Sequence, residues 1–301
     1  MTIERASIQF VPKPWGSVDL RPWNELAPAG PPIGELWFQR SASDVQNPML
    51  LLKLLFTKEK LSIQVHPSDA FAYTLGLSHG KSEAWYILSA EPGAKIAVGL
   101  KRTVTAPQLR DAISDGSITE LIAWWEVKKD DFVFVPAGTI HAIGAGLVIA
   151  EIQQSSDTTF RMFDFGRRRE LHVDNAVGAA IAGPAEHQPV SVISTGARTL
   201  LIADPHFVCE RIILQPDSDW QLDARSETWL LVLEGKAQIR SLIVSVGEAA
   251  FLDADRARIA IKSSGLSALL VYGGPAQIPD LLRKIGRNHA APPDHSTVVQ
   301  H

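Results

Sequence analysis

The sequence contains almost no cysteine and no long apolar run. Cys209 is the only cysteine among 301 residues, so the chain can form neither an internal disulfide nor a thiolate metal cluster. We expect this residue to be a small buried hydrophobe rather than a nucleophile. No segment approaches the roughly twenty apolar residues of a membrane-spanning helix, and residues 1–5 lack the apolar core of a signal peptide. These absences predict a cytoplasmic protein that has no membrane partner.

Strong charge of one sign is also missing. The 29 lysines and arginines stand against 33 aspartates and glutamates, which gives a formal net charge of −4. A short basic run occurs at residues 167–169, but no long one does. Nucleic acid is therefore not expected as a partner. The apolar fraction of 46% is ample for real cores, and the length suits two packed domains or one large one.

Distant polar residues have the spacing of metal ligands. Gln64 and His66 are two residues apart, so they project from one face if residues 61–66 form a strand. Glu83 opens an aromatic and β-branched segment that we interpret as the antiparallel neighbour of that strand. A strand over 131–135 and the Pro-Ala-Gly turn after it would return His141 to the same sheet. The combined spacing predicts one metal site.

The chemistry of these four side chains limits the choice of ion. Two imidazoles, a carboxylate and an amide oxygen form a ligand set that suits Zn²⁺ and would also accept Mn²⁺, Fe²⁺ or Co²⁺. We assign Zn²⁺, one per chain. A single carboxylate against a divalent ion leaves a formal charge of about +1, which favours an anionic ligand.

Proline and glycine interrupt short apolar runs along the chain, which predicts mainly β structure with a few short helices. Thr105 as a cap and Pro107 in the first turn predict a helix over 106–113, and a second helix is expected over 118–124. We expect a metal-binding catalytic domain over 1–182. A second, metal-free barrel or sandwich over 183–287 and a disordered tail over 288–301 would follow.

Four sequence blocks carry a resemblance to a known family. They are residues 61–67 (LSIQVHP), 80–86 (GKSEAWY), 135–144 (VPAGTIHAIG) and 151–161 (EIQQSSDTTFR). From about Trp15 to Arg169 the chain resembles the type I phosphomannose isomerases of the cupin superfamily, whereas the C-terminal half matches only as a generic second cupin. Two positions depart from the family pattern, because Ser155 replaces asparagine and Phe160 replaces tyrosine.

The resemblance implies a fold and an activity. The fold would be two cupin-type β-barrels or sandwiches. The activity would be the reversible conversion of mannose 6-phosphate and fructose 6-phosphate, with zinc held by Gln64, His66, Glu83 and His141. Phosphate contacts are implied at Ser62 and Arg167, whose hydroxyl and guanidinium groups both donate hydrogen bonds to phosphate oxygens. The partner would be a small hexose phosphate, and the chain would be a monomer or a homodimer.

An isomerisation of this kind needs a base and a cation. Arg161 is our candidate for a cation that supports the metal in stabilising the enediolate. Glu151 is a candidate for proton transfer, and Lys81 and Asp157 remain open for the same role. The alternative for Arg161 is a structural ion pair with an aspartate.

Other functions remain open at this point. The chain would also suit an isomerase of free mannose or of another sugar phosphate. A non-catalytic cupin that binds a sugar or a metal is a further alternative. An iron-dependent cupin dioxygenase fits less well, because such a site normally uses more histidine.

Overall fold

The structure is a computed structural model that describes residues 2–25, 30–40, 48–185 and 193–286. Within these ranges the chain forms 21 strands and four helices, which confirms the prediction of a mainly β, cupin-type fold with a few short helices. None of the helices in these ranges is long and apolar enough to cross a membrane. The tail predicted over 288–301 lies outside the described residues.

The elements follow one another in a regular β-rich order. Those of the N-terminal part are β1 Thr2–Arg5, β2 Ser7–Ser17, β3 Ile33–Gln39, β4 Leu50–Thr57, β5 Ile63–Val65, α1 Asp69–Thr74, β6 Glu83–Ala90, β7 Lys95–Leu100, α2 Ala106–Asp115, α3 Ile118–Leu121, β8 Ile122–Glu126, β9 Phe132–Val135, β10 His141–Ile143, β11 Leu147–Gln154, β12 Phe160–Phe163 and α4 Val173–Ala179. Those of the C-terminal part are β13 Ile193–Thr195, β14 Arg198–Ala203, β15 Phe207–Leu214, β16 Asp219–Ala224, β17 Thr228–Ile239, β18 Leu242–Ser245, β19 Ala249–Asp253, β20 Asp255–Gly273 and β21 Leu282–Ile285.

Two sheets make up the N-terminal part. One has the strand order β2-β3-β4-β11-β6-β9, and the other has the order β12-β5-β10-β7-β8. Trp85 and Ile149 from the first sheet and Ile96 from the second belong to one buried apolar cluster, so the two sheets pack against each other. Helices α2, α3 and α4 supply apolar side chains to another cluster on the five-stranded sheet.

The C-terminal part forms a ten-stranded sheet whose main path is β1-β19-β17-β20-β15-β14-β13. It encloses a core of its own and shares a second core with the six-stranded sheet, where Leu36 and Leu54 lie in one cluster with Trp229 and Phe251. Because β1 pairs with β19, one strand from the segment 1–182 belongs to the C-terminal sheet. We retain the division near residue 182 as a proposal.

The predicted helices differ in how closely the structure follows them. Helix α2 is confirmed: Thr105 and Gln108 form a capping box, and Gly116 ends the helix with a φ of 82°. The second helix ends at Leu121 instead of 124, because the chain turns extended at Ile122 and continues as β8, which pairs with β7. Tertiary pairing here overrides the local helical pattern.

Candidate metal centre and its cavity

Four predicted metal ligands come from three places in the two packed sheets. Gln64 lies in β5, and His66 follows directly after that strand. His141 is the first residue of β10 and stands opposite Gln64 in the antiparallel register. Glu83 is the first residue of β6. The structure thus brings together side chains that are up to 77 residues apart.

One part of the sequence interpretation is wrong. The strand that begins with Glu83 is not the neighbour of β5, because β6 pairs with β11 and β9 in the six-stranded sheet. Strand β5 pairs instead with β10 and β12. Glu83 therefore reaches the histidines from the facing sheet rather than along the same sheet. The composition of a segment indicates a strand, but it does not determine which strand will be its partner.

The two histidines and the glutamate converge on one point. Their ligand atoms lie within 4.8 Å of one another. Glu83 Oε2 is 3.2 Å from His66 Nε2, and Glu83 Oε1 is 3.4 Å from His141 Nε2. The other ring nitrogen of each histidine lies against a backbone carbonyl, that of Thr158 at 2.8 Å and that of Thr139 at 2.9 Å. Donation from Nδ1 to these carbonyls leaves the lone pair of each ring on Nε2, as metal-ligating histidines require.

This cluster has unsatisfied polar atoms that a cation would satisfy. His66 Nε2 is buried and makes no hydrogen bond, and Glu83 Oε2, which lies against it, has an ion-pair contact with Lys81 at 3.1 Å but no aligned hydrogen bond. With the proton on Nδ1, His66 presents only a lone pair to the carboxylate, so the two atoms repel each other unless a positive charge lies between them. The residues present therefore fit a divalent metal ion.

The protonation states also suit metal binding. Burial and the charge of Lys81 lower the pKa of His66 to about 4. Burial likewise lowers the pKa of His141. Burial alone would raise the pKa of Glu83, but Lys81 and the two histidines hold it well below its usual range. At neutral pH the cluster therefore consists of two neutral imidazoles and one carboxylate, the forms that coordinate a metal.

Gln64 stands beside this cluster. Its Nε2 lies 3.2 Å from His141 Nε2, and its Oε1 accepts a hydrogen bond from the Ser62 hydroxyl at 2.9 Å. A half-turn of the amide exchanges the two atoms and keeps the contact with Ser62, because a hydroxyl both donates and accepts. In that orientation the amide oxygen points toward the histidines and the carboxylate, where it could act as a fourth ligand.

A polar cavity of about 220 Å³ opens beside the cluster. The predicted residues Ser62, Gln64, Lys81, Glu151 and Arg161 all line it. Because Gln64 and Lys81 also contact the cluster, a molecule in the cavity would lie next to a bound metal.

Two of the lining residues carry opposite charges deep in the protein. Lys81 Nζ lies 3.1 Å from Glu83 Oε2 and 4.0 Å from Glu151 Oε1. Burial alone would lower the pKa of Lys81, but the two carboxylates raise it above its ordinary value. Burial and the neighbouring Glu83 charge raise the pKa of Glu151 to about 7. Lys81 is therefore an ammonium ion at neutral pH, and Glu151 exchanges its proton near neutrality.

The three arginines near the end of the matched region are arranged differently. Arg167 does not line the cavity, and its guanidinium donates to Asp164, to Glu59 and to the backbone carbonyl of Lys60. Arg169 does line the cavity, and it donates to Asp164 at 2.8 and 2.6 Å through Nε and Nη2. The run of three arginines gives no sequence signal that separates these positions, because they lie in a loop.

Both the backbone and the side chain of Arg161 form hydrogen bonds with the segment 170–172. Its N–H lies 3.0 Å from Nδ1 of His172, and its Nη1 donates to the carbonyl of Glu170 at 2.7 Å. Its Nε is buried and makes no hydrogen bond. Burial and the nearby Arg169 charge lower its pKa. Two guanidinium groups thus face one cavity, which favours an anion there.

Sequence reasoning missed a second group of charges in the same cavity. Lys53 is buried and lies 3.7 Å from Glu35, 3.6 Å from Glu151 and 3.4 Å from Asp157. Lys13 completes the group, 3.1 Å from Glu35. A signal was present, because Lys53 interrupts the otherwise apolar strand β4, and a lysine is almost never buried without a partner.

The two departures from the family pattern lie outside the cavity lining. Phe160 is buried among apolar side chains and contacts the rings of Phe71 and His172 edge-on. Ser155 donates its backbone N–H to the carbonyl of Met49 at 2.8 Å. Neither residue lines the space where a substrate would lie.

The chain is similar in sequence to curated mannose-6-phosphate isomerases. The chain is 39% identical over 192 residues to mannose-6-phosphate isomerase of Streptococcus mutans, a match that covers 59% of this chain and 60% of that protein. It is 41% identical over 135 residues to mannose-6-phosphate isomerase ManA of Bacillus subtilis, which is 42% of each chain. These matches span less than two thirds of the curated relatives. No family model matches the chain.

A solved structure extends the similarity along the chain. The crystal structure of the mannose 6-phosphate isomerase from Bacillus subtilis superposes with a TM-score of 0.78 at 25% identity, covering 90% of this chain and 99% of that one. The fold and the site define a cupin-type β protein with a buried His-Glu-His cluster that could hold a metal. In sequence and in fold the chain is similar to mannose-6-phosphate isomerases.

Proposed function

We propose that this protein is a zinc-dependent aldose-ketose isomerase that interconverts mannose 6-phosphate and fructose 6-phosphate. The observation that carries the proposal is the position of the His66, Glu83 and His141 cluster beside a cavity lined by Glu151 and Arg161. A metal position, a group that exchanges protons near neutrality and a cation are what the reaction needs. We expect the chain to act as a monomer or a homodimer.

The metal ligands would be His66, Glu83, His141 and the amide oxygen of Gln64. Nitrogen and oxygen ligands without thiolate favour Zn²⁺ and also accept Mn²⁺, Fe²⁺ or Co²⁺. When bound, the ion would polarise the sugar carbonyl and stabilise negative charge that develops on the sugar oxygens.

Glu151 is the group we propose for proton transfer. In the aldose-to-ketose direction one hydrogen moves from C2 to C1 and another moves from O2 to O1, so a single base can take the carbon-bound proton and return it. With a pKa of about 7, Glu151 can both accept and release a proton near neutral pH. Lys81 has a raised pKa and would act as a fixed positive charge. Asp157 is half exposed, so it is a weaker candidate.

The opposite end of the sugar would carry the phosphate. Ser62 lines the cavity, so we still propose that its hydroxyl contacts the phosphate. Arg167 does not line the cavity and forms ion pairs with Glu59 and Asp164 instead. We add Arg169, which lines the cavity and leaves Nη1 free of the hydrogen bonds to Asp164 made by its other nitrogens. The guanidinium of Arg161 would stabilise the enediolate from the same side.

Product analysis in deuterated water tests this proposal. Zinc-loaded protein should convert mannose 6-phosphate to fructose 6-phosphate, and deuterium should enter at C1 because the carbon-bound proton passes through a side chain that can exchange with solvent. Free mannose, tested in parallel, should be converted far more slowly. Equal rates on both sugars would favour the free-sugar alternative. Binding of either sugar without turnover would favour a non-catalytic cupin.

A further inference from the structure

A carboxylate from the C-terminal sheet is bound to the start of a strand that lines the catalytic cavity. Glu227, which precedes β17, accepts hydrogen bonds from the backbone N–H groups of Met49 at 2.6 Å and Leu50 at 3.0 Å. It also accepts one from the indole Nε1 of Trp229 at 2.9 Å. Strand β4, which begins at Leu50, carries Lys53 into the cavity. Glu227 thus links the two halves of the chain next to the site.

The contact continues from β4 to a loop that supports a metal ligand. The carbonyl of Met49 accepts the N–H of Ser155 at 2.8 Å. Ser155 begins the loop between β11 and β12, and three residues further on the carbonyl of Thr158 accepts from His66 Nδ1. The loop is therefore fixed at one end by the strand that Glu227 caps, and it orients an imidazole near its other end.

We propose that Glu227 is a positioning residue through which the C-terminal sheet holds the loop 155–158 in the conformation that orients His66 for metal binding. This gives the second half of the chain a part in forming the metal centre, although it contributes no ligand to it. The inference shares the metal centre with the proposed function but does not depend on the identity of the substrate.

The chemistry of the contact favours a carboxylate. All three partners of Glu227 are N–H groups, and between them they donate to both side-chain oxygens. No acceptor lies among these partners, so a side chain at this position has to accept hydrogen bonds and cannot donate one to them. Glutamine has nearly the same shape, but it would turn an NH₂ group toward an N–H group. The variant Glu227→Gln therefore breaks the contact with little change in volume.

The experiment compares Glu227→Gln with Glu234→Gln. Glu234 also lies in the C-terminal sheet and contacts the N-terminal part, through an exposed ion pair with Lys129 at 3.1 Å, but it is not linked to the loop. We would measure the dissociation constant of Co²⁺ for the full chain and the visible absorption of the cobalt-loaded protein. Far-ultraviolet circular dichroism would check that each variant is folded.

We expect Glu227→Gln to weaken Co²⁺ binding by about tenfold, the lower end of the range for losing a group that hydrogen-bonds a metal ligand directly, because Glu227 acts on His66 only through the loop. The cobalt spectrum should change as well. Glu234→Gln should match wild type in both. Folded Glu227→Gln with wild-type affinity and spectrum would overturn the inference, and so would equal losses in the two variants. If Glu227→Gln does not fold, the same two measurements on Glu227→Asp and on its control Glu234→Asp decide between these outcomes.

The cobalt measurements keep this inference separate from the proposed function. A wild-type protein that binds Co²⁺ but does not isomerise mannose 6-phosphate would refute the proposed function and still allow Glu227 to be tested. A wild-type isomerase whose metal affinity is unchanged by Glu227→Gln would refute the positioning role alone.

Discussion

Replacing Glu151 with glutamine should remove catalysis while leaving the fold intact. The side chain is buried, lines the cavity and has a pKa of about 7, so it is well matched to proton transfer at neutral pH. Losing such a group typically lowers kcat by about 100- to 10,000-fold, or about 3 to 5 kcal/mol of transition-state stabilisation. The assay is the initial rate of fructose 6-phosphate formation by zinc-loaded protein, with bound zinc measured in the same samples.

The structure also predicts that stability will change little. Glutamine resembles the protonated carboxyl group of Glu151, which is present about half the time near pH 7. Without the Glu151 carboxylate, Lys81 still has an ion pair with Glu83, and Lys53 still has one with Glu35. We therefore expect the free energy of unfolding to change by no more than about 1 kcal/mol. Retention of more than about a tenth of the wild-type kcat by Glu151→Gln, with normal zinc content, would refute the assignment of this residue.

A buried carboxylate in the C-terminal sheet provides the contrasting control. Glu210 is fully buried and accepts from Arg198 through two contacts, from Tyr272 and from Gln277. Glu210→Gln disrupts a buried ion pair, which typically costs about 3 to 5 kcal/mol. Because Glu210 does not line the cavity, kcat should stay near the wild-type value in protein that remains folded. A fall in kcat as large as that of Glu151→Gln would show that the assay reports general damage.

Three further predictions follow from the site. Only ionised Glu151 accepts a proton, so kcat/KM should fall as the pH drops below about 7. The positive charge of a bound metal would move this fall to lower pH. The fall should be absent in Glu151→Gln. His66→Asn should lose zinc on dialysis while His79→Asn, which alters an exposed histidine, should retain it. Arg169→Ala should raise KM for mannose 6-phosphate about tenfold or more but leave KM for free mannose unchanged; Arg167→Ala should have a smaller effect on the phosphorylated sugar, and the opposite order would contradict the cavity geometry.

The convergence of these polar side chains was partly predictable because strand geometry acts over short distances. Two side chains at positions i and i+2 share a face, so Gln64 and His66 could be grouped from spacing alone. The turn after β9 was expected to return the chain to the same sheet, but it carries the chain across to the facing sheet, where His141 stands opposite Gln64. Strand partners depend on contacts between distant segments, which is why the interpretation of Glu83 placed its strand in the wrong sheet.

The remaining parts of the site depend on contacts that leave little trace in a single sequence. Lys53 gave a signal, since it interrupts an apolar strand, but its carboxylate partners come from other strands. The difference between Arg167 and Arg169 depends on the path of a loop around Asp164. Glu227 is 178 positions from Met49 and 177 positions from Leu50 in the sequence, and no local pattern indicates their contact.

The most direct test of the account is the rate at which purified protein isomerises mannose 6-phosphate before chelation, after chelation, and after one equivalent of zinc per chain is returned. We expect the activity to be lost with the metal and restored with it. Activity that persists in protein shown to contain no metal would contradict the proposed role of the cluster. Absence of turnover in the zinc-loaded state would contradict the proposed reaction.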